Sequence, residues 1–98
     1  MSHYTISPQA FAEIDEILDY VAADNRDAAE RVRTALFEAF DRLARRPGLG
    51  HRRLDLTELP LRFRTIMGRY LVAYRGDAGR VEIVRVFGPG RDVAGLLR

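Results

Sequence analysis

Between Phe11 and Leu43 two apolar stripes run at helical spacing, separated only by the polar stretch Asp24-Asn25-Arg26-Asp27. In the first, Phe11, Ile14, Ile17, Leu18 and Val21 recur three and four apart; in the second, Ala29, Val32, Leu36, Ala39, Phe40 and Leu43 do the same. Each stripe is the buried face of an amphipathic helix. So short a connection folds the two helices back on each other as an antiparallel hairpin. The apolar faces of that hairpin need a partner surface, which the rest of the chain must supply.

Cap chemistry sets the expected boundaries. Ser7 is a favoured N-cap and Pro8 fits the first helical position, where its missing N–H has no partner to lose. The first helix is expected to end near Ala23. Asp27 followed by Glu30 reads as a variant capping box that starts the second helix. That helix stops at Arg46, because Pro47-Gly48 cannot continue it. On its outer side Glu38 with Arg42, and Asp41 with Arg45, stand at the favourable i, i+4 order.

The remaining periodicity is that of strands. "HYTIS" reads as a short first strand with Tyr4 and Ile6 facing the core, and residues 47–61 read as an irregular loop. Three strands follow, over Arg62 to Met67, Arg69 to Arg75 and Arg80 to Phe87, with hairpin chemistry in "GDAG" between the last two. The expected fold is α+β: an N-terminal strand, a helical hairpin, then a three-stranded antiparallel meander, in the order β-α-α-β-β-β. At 98 residues the chain has room for one domain, spanning 1–98.

Several chemistries are excluded at the level of residue types. There is no Cys, and Ser2 and Ser7 are the only serines, so a nucleophilic triad has no material. With two histidines, His3 and His51, a metal site is not expected, and no cofactor motif occurs. Asp15 and Asp19 share a helix face, as any solvated helix surface requires. His51 has the pKa range of an acid or base but sits in an exposed loop. Tyr70, Tyr74, Phe63 and Phe87 read as core rather than as base-stacking platforms. The longest apolar run is about five residues, far short of a span, so the expectation is no membrane contact and a cytoplasmic location.

Charge is where the sequence speaks most clearly. Residues 1–44 hold four Arg against nine acidic side chains, net −5, while residues 45–98 hold twelve Arg against five, net +7; Lys is absent. Five arginines, Arg62, Arg64, Arg69, Arg85 and Arg91, fall on or beside the expected strands and form the candidate target-binding set. Alternation places Arg62 and Arg64 on one side with Ile66, and Arg85 with Val81, Ile83 and Phe87. Wherever such side chains point away from the helices, the exposed sheet face and its end at Arg91 form a basic concavity. Gly88-Pro89-Gly90 then turns the last strand into a short tail that carries Arg91.

The segments "YTISPQAFAEIDEILDYVAADN", "RLARRPGLGHRRLDL" and "LPLRFRTIMGRYLVAYRGDAGRVEIVRVFGPGRD" together resemble the RelE/ParE superfamily of bacterial type II toxins over nearly the whole chain. The resemblance implies a growth-arresting, plasmid-stabilising toxin held in a hetero-oligomeric complex by a cognate antitoxin, which folds a helix or strand onto it. Two branches are compared. RelE-like members cleave messenger RNA on the ribosome, and Arg62, Arg64 and Arg91 fall where those enzymes carry basic residues. Leu71, however, stands where they tend to have Arg, Leu97 near an expected Tyr, and Gly88 in place of a His. Arginine stabilises a phosphorane but transfers protons poorly. ParE-like members inhibit DNA gyrase and need no nuclease site. The resemblance therefore implies a ParE-like, non-catalytic gyrase inhibitor, with the ribosome-dependent endoribonuclease as the alternative.

Overall fold

In the computed structural model, which describes residues 4–98, the elements run β1 (Tyr4–Ile6), α1 (Pro8–Asp24), α2 (Arg26–Arg45), a 3₁₀ turn (Pro47–Leu49), β2 (His51–Arg52), β3 (Arg62–Ile66), β4 (Tyr70–Asp77), β5 (Arg80–Phe87) and α3 (Val93–Leu96). The expected α+β order holds, with β2 and α3 added where sequence patterning showed none. His3 lies outside the described residues.

Both helix starts are set by side-chain caps, though one is not the residue expected. Ser7 Oγ accepts the Ala10 N–H at 3.0 Å, with Pro8 in the first turn. At the second start Asn25, rather than Asp27, is the N-cap: its Oδ1 accepts the Ala28 N–H at 3.0 Å. Asn25 also closes α1, its N–H donating to the Val21 carbonyl. One residue thus ends one helix and begins the next, which is why the hairpin is so tight. Asp27 sits in the first turn of α2, where a carboxylate favours the helix dipole.

The five strands form one sheet in the order β1-β5-β4-β3-β2. Strands β2 to β5 pair antiparallel, while β1 runs parallel to β5, with Tyr4, Thr5 and Ile6 opposite Val81, Glu82 and Ile83. The helical hairpin covers one face. There Ile14, Leu18, Leu36, Phe40 and Leu43 pack on Ile66, Val72, Tyr74, Ile83 and Val86, and Phe40 and Tyr74 are wholly excluded from solvent. Each such side chain removed from water is worth about 1.5–3 kcal/mol.

A β-bulge in β5 decides which way its side chains point. Tyr74 pairs with Ile83 and Ala73 with Arg85, so Val84 has no partner on β4. Alternation alone would have kept Val81, Ile83, Arg85 and Phe87 together. The bulge instead leaves Val81 and Ile83 under the helices and moves Arg85 and Phe87 to the opposite face.

Candidate functional site

That opposite face is not the basic concavity the arginine pattern suggested. Leu61, Phe63, Ala73 and Phe87 form a second buried cluster there, covered by Leu56 from the loop after β2 and by Val93 and Leu97 around α3. The arginines are distributed around its margins.

Arg62 and Arg64 lie on β3 opposite Tyr74 and Val72, hence on the helix-facing side with Ile66, but at the sheet edge where the helices do not cover them. The 3₁₀ turn after α2 orients both. Arg62 Nη1 donates to the Gly50 carbonyl at 3.1 Å and Arg64 Nη1 to the Leu49 carbonyl at 3.2 Å. Tyr74, beneath them, is the anchor of that turn: its hydroxyl accepts the Gly50 N–H at 2.8 Å and donates to the Pro47 carbonyl. Burial pushes the Tyr74 hydroxyl above its ordinary pKa, opposed by the Gly50 N–H and by the Arg62 and Arg64 charges. Gly50 is required by close approach, since a Cβ would lie 2.7 Å from the Phe63 carbonyl and against the Tyr74 hydroxyl.

Arg69 and Arg91 occupy a different place. They stand at a groove of about 520 Å³ between α1 and the end of the sheet, lined by Ile17, Tyr20, Tyr70 and Pro89 among others. Tyr70 is buried and Tyr20 is 84% exposed, so the groove offers an apolar floor and an aromatic wall under two cations. The Arg69 guanidinium lies 5.9 Å from the Tyr70 ring centroid. Gly90, at φ +80°, takes the left-handed conformation that turns the chain after β5 and delivers Arg91 to the groove.

Arg85 has internal partners. Its Nη2 and Nε donate to Glu13 Oε2 at 2.7 and 2.9 Å, its Nη1 to the Leu96 carbonyl at 3.1 Å, and its guanidinium stacks 4.9 Å from the Phe87 centroid. Glu13 could not be found from α1's pattern, because a carboxylate outside the apolar stripe carries no local sign of burial. Its signal is tertiary: β1 ends opposite Ile83, and Glu13 Oε1 accepts the Val86 N–H that the missing strand would have paired.

The family model for the ParE toxin of type II toxin-antitoxin systems, parDE, matches residues 4–93. The chain belongs to the ParE toxin family. Among solved structures it is similar to a protein of the chromosomal ParDE TA system from P. aeruginosa, at a TM-score of 0.70 and 22% identity, covering 91% of this chain and 97% of that chain. That likeness is one of fold. A search of curated proteins gives no match.

Within this ParE-family chain the positions that set it apart from the ribonuclease pattern have a structural use. Leu71 and Leu97 both pack on the second cluster, against Phe63 and Phe87 and their neighbours. Gly88 passes along α1, its position 3.8 Å from Ile17 Cγ1 for an added Cβ. His51 is exposed on β2, opposite Phe63. No described helix is long and apolar enough to cross a membrane.

Proposed function

We propose that this ParE-family toxin acts by binding and inhibiting DNA gyrase, without catalysis, and that a cognate antitoxin neutralises it in a cytoplasmic hetero-oligomeric complex. The observation that carries the choice of a binding protein over a nuclease is the packing of Leu71 and Leu97. Where the ribonuclease branch tends to have an Arg, and near where it has a Tyr, this chain has leucines engaged in an apolar cluster. They cannot stabilise a phosphorane or move a proton.

The distribution of the cations supports the same reading. Arg62 and Arg64 are held at the turn after α2, while Arg91 stands with Arg69 at the groove beside α1. Arg69 lies in the turn just before β4, beside the Ile66–Tyr70 pair at the end of β3, whereas Arg62 begins β3 opposite Tyr74, four residues further along β4. Two separated patches suit an extended macromolecular contact. Cleaving one phosphodiester would instead ask the three ribonuclease candidates to converge on a single phosphate.

Two of the five arginines, Arg69 and Arg91, are proposed as the anchors of the gyrase contact, with the exposed Tyr20 beside them. Arg62 and Arg64 extend it, and Arg85 supports it by holding α1, β5 and α3 together. The test is plasmid supercoiling by purified gyrase with increasing toxin. Loss of supercoiling, or accumulation of cleaved complex, is expected; unaffected gyrase at excess toxin, together with new transcript 5′ ends after induction in cells, would replace the reading with the ribonuclease one.

A further inference from the structure

The register between β2 and β3 puts Arg52 directly opposite Arg62. Directly opposed residues of an antiparallel pair share a face, as do residues two apart on one strand, so Arg52, Arg62 and Arg64 project from the same side of this edge. All three are exposed. Like charges placed directly opposite destabilise a strand pair, and β2, with only two residues, has little pairing energy to offset that cost.

None of the three is ion-paired with a carboxylate among the described residues, where the carboxylate partners go to Arg33, Arg53, Arg75 and Arg85. Their protein partners are main-chain carbonyls: Glu58 at 3.5 Å for Arg52, Gly50 at 3.1 Å for Arg62 and Leu49 at 3.2 Å for Arg64. Each carbonyl engages one nitrogen of a five-donor fork. The Arg62 and Arg64 guanidiniums are thereby oriented, and most of the donors of all three remain free. A cluster of like charges left without a carboxylate partner is suited to an anion.

We propose that Arg52, Arg62 and Arg64 bind the phosphate backbone of duplex DNA, so that the toxin contacts the DNA on which gyrase works as well as the enzyme. This rests on the gyrase reading and extends it. A phosphodiester chain fits better than an acidic peptide segment. The Tyr74 ring beneath the site is fully buried, so what Arg52, Arg62 and Arg64 themselves present to a ligand is charge and donors rather than an aromatic surface. The groove at Arg69 and Arg91, by contrast, is lined by Ile17, Tyr20 and Tyr70 as well as by its arginines.

The test is fluorescence anisotropy of purified full-length toxin with a mixed-sequence duplex, in the absence of gyrase, across a salt series. Three phosphate contacts predict a log–log salt slope of about −2.7, hence affinity falling about 40-fold between 50 and 200 mM salt. Arg52→Gln should flatten the slope by about 0.9, and Arg52→Gln with Arg64→Gln by about 1.8. Arg52→Gln is the decisive variant, because its single 3.5 Å contact to Glu58 contributes little to the fold. Arg31→Gln, an equal loss of charge on the exposed side of α2, should leave the slope unchanged.

No binding by wild type, an unchanged slope in Arg52→Gln, or equal loss in Arg31→Gln would each overturn the proposal, as would binding to an acidic peptide but not to DNA. A preference for single-stranded RNA over the duplex would also overturn it. The two readings separate cleanly. DNA binding with the predicted slopes but no effect on gyrase would keep the site and remove the target, whereas gyrase inhibition by a toxin that binds no DNA would do the reverse.

Discussion

Glu13 and Arg85 meet around the open edge of β5, α1 lying on one side of the sheet and Arg85 on the other, with Nη2 and Oε2 2.7 Å apart. The pair is largely buried, at 10% and 15% side-chain exposure. The second carboxylate oxygen takes the Val86 N–H at 2.9 Å. One side chain therefore neutralises a guanidinium and completes a strand.

Removing one partner of such a pair leaves the other buried and unneutralised, at a cost of about 3 kcal/mol. Glu13→Gln and Arg85→Met should each lower the urea midpoint accordingly. In a double-mutant cycle the two changes should be strongly non-additive. Glu13→Ala with Arg85→Met should still be less stable than wild type by about 1–3 kcal/mol, because the Val86 N–H is left without its acceptor. A double variant as stable as wild type would contradict this account.

Gly50→Ala should destabilise by about 1–3 kcal/mol, since its methyl group would meet the Tyr74 hydroxyl and the Phe63 carbonyl, neither of which can retreat. Gly48→Ala, two residues earlier with nothing within 4 Å, is the control and should be near neutral. Thermal unfolding of the two variants side by side makes the comparison.

Tyr74→Phe removes both hydrogen bonds of the hydroxyl and should cost about 1–3 kcal/mol at neutral pH. Its effect should also depend on pH. The folded-state pKa of Tyr74 is raised, chiefly by burial, so its contribution is complete below the unfolded value near 10 and is lost as pH rises through the folded value. Above about pH 10 the wild type should lose stability more steeply than Tyr74→Phe, measured by denaturant unfolding between pH 8 and 11. Parallel pH curves would show that Tyr74 ionises as freely in the folded chain as in the unfolded one.

Arg69→Gln and Arg91→Gln change exposed side chains and should leave stability within about 0.5 kcal/mol. Each should weaken gyrase inhibition, and the pair should abolish growth arrest on expression. Full toxicity in a folded double variant would move the target contact away from the α1 groove.

Much of this molecule was readable because burial imposes local period. The stripes at Ile14 to Val21 and Ala29 to Leu43 repeat with helical spacing, and the short apolar run Tyr70 to Tyr74 has the length of a buried strand, so these elements declared themselves, although Phe11, expected in the first stripe, is 51% exposed. Ser7 as a cap and Pro47 as a stop act within a few residues and were equally plain. The Arg-rich second half was visible too, as charge without direction.

What the linear order could not hold is anything that depends on which strand lies beside which. The cap moved from Asp27 to Asn25 because two helices compete for one short connection. Asp41, spaced to meet Arg45, has a buried Oδ1 with no hydrogen-bond partner among the described residues, and adds to the burial that raises the Tyr4 pKa. The bulge at Val84 sent Arg85 to the opposite face from Ile83, and the early end of β1 gave Glu13 its partner. Arg52 acquired its meaning only opposite Arg62. Local propensity is a sum over neighbours in the chain, whereas the orientation and pairing of a charge are decided by neighbours in space, and these exist only once the sheet has closed.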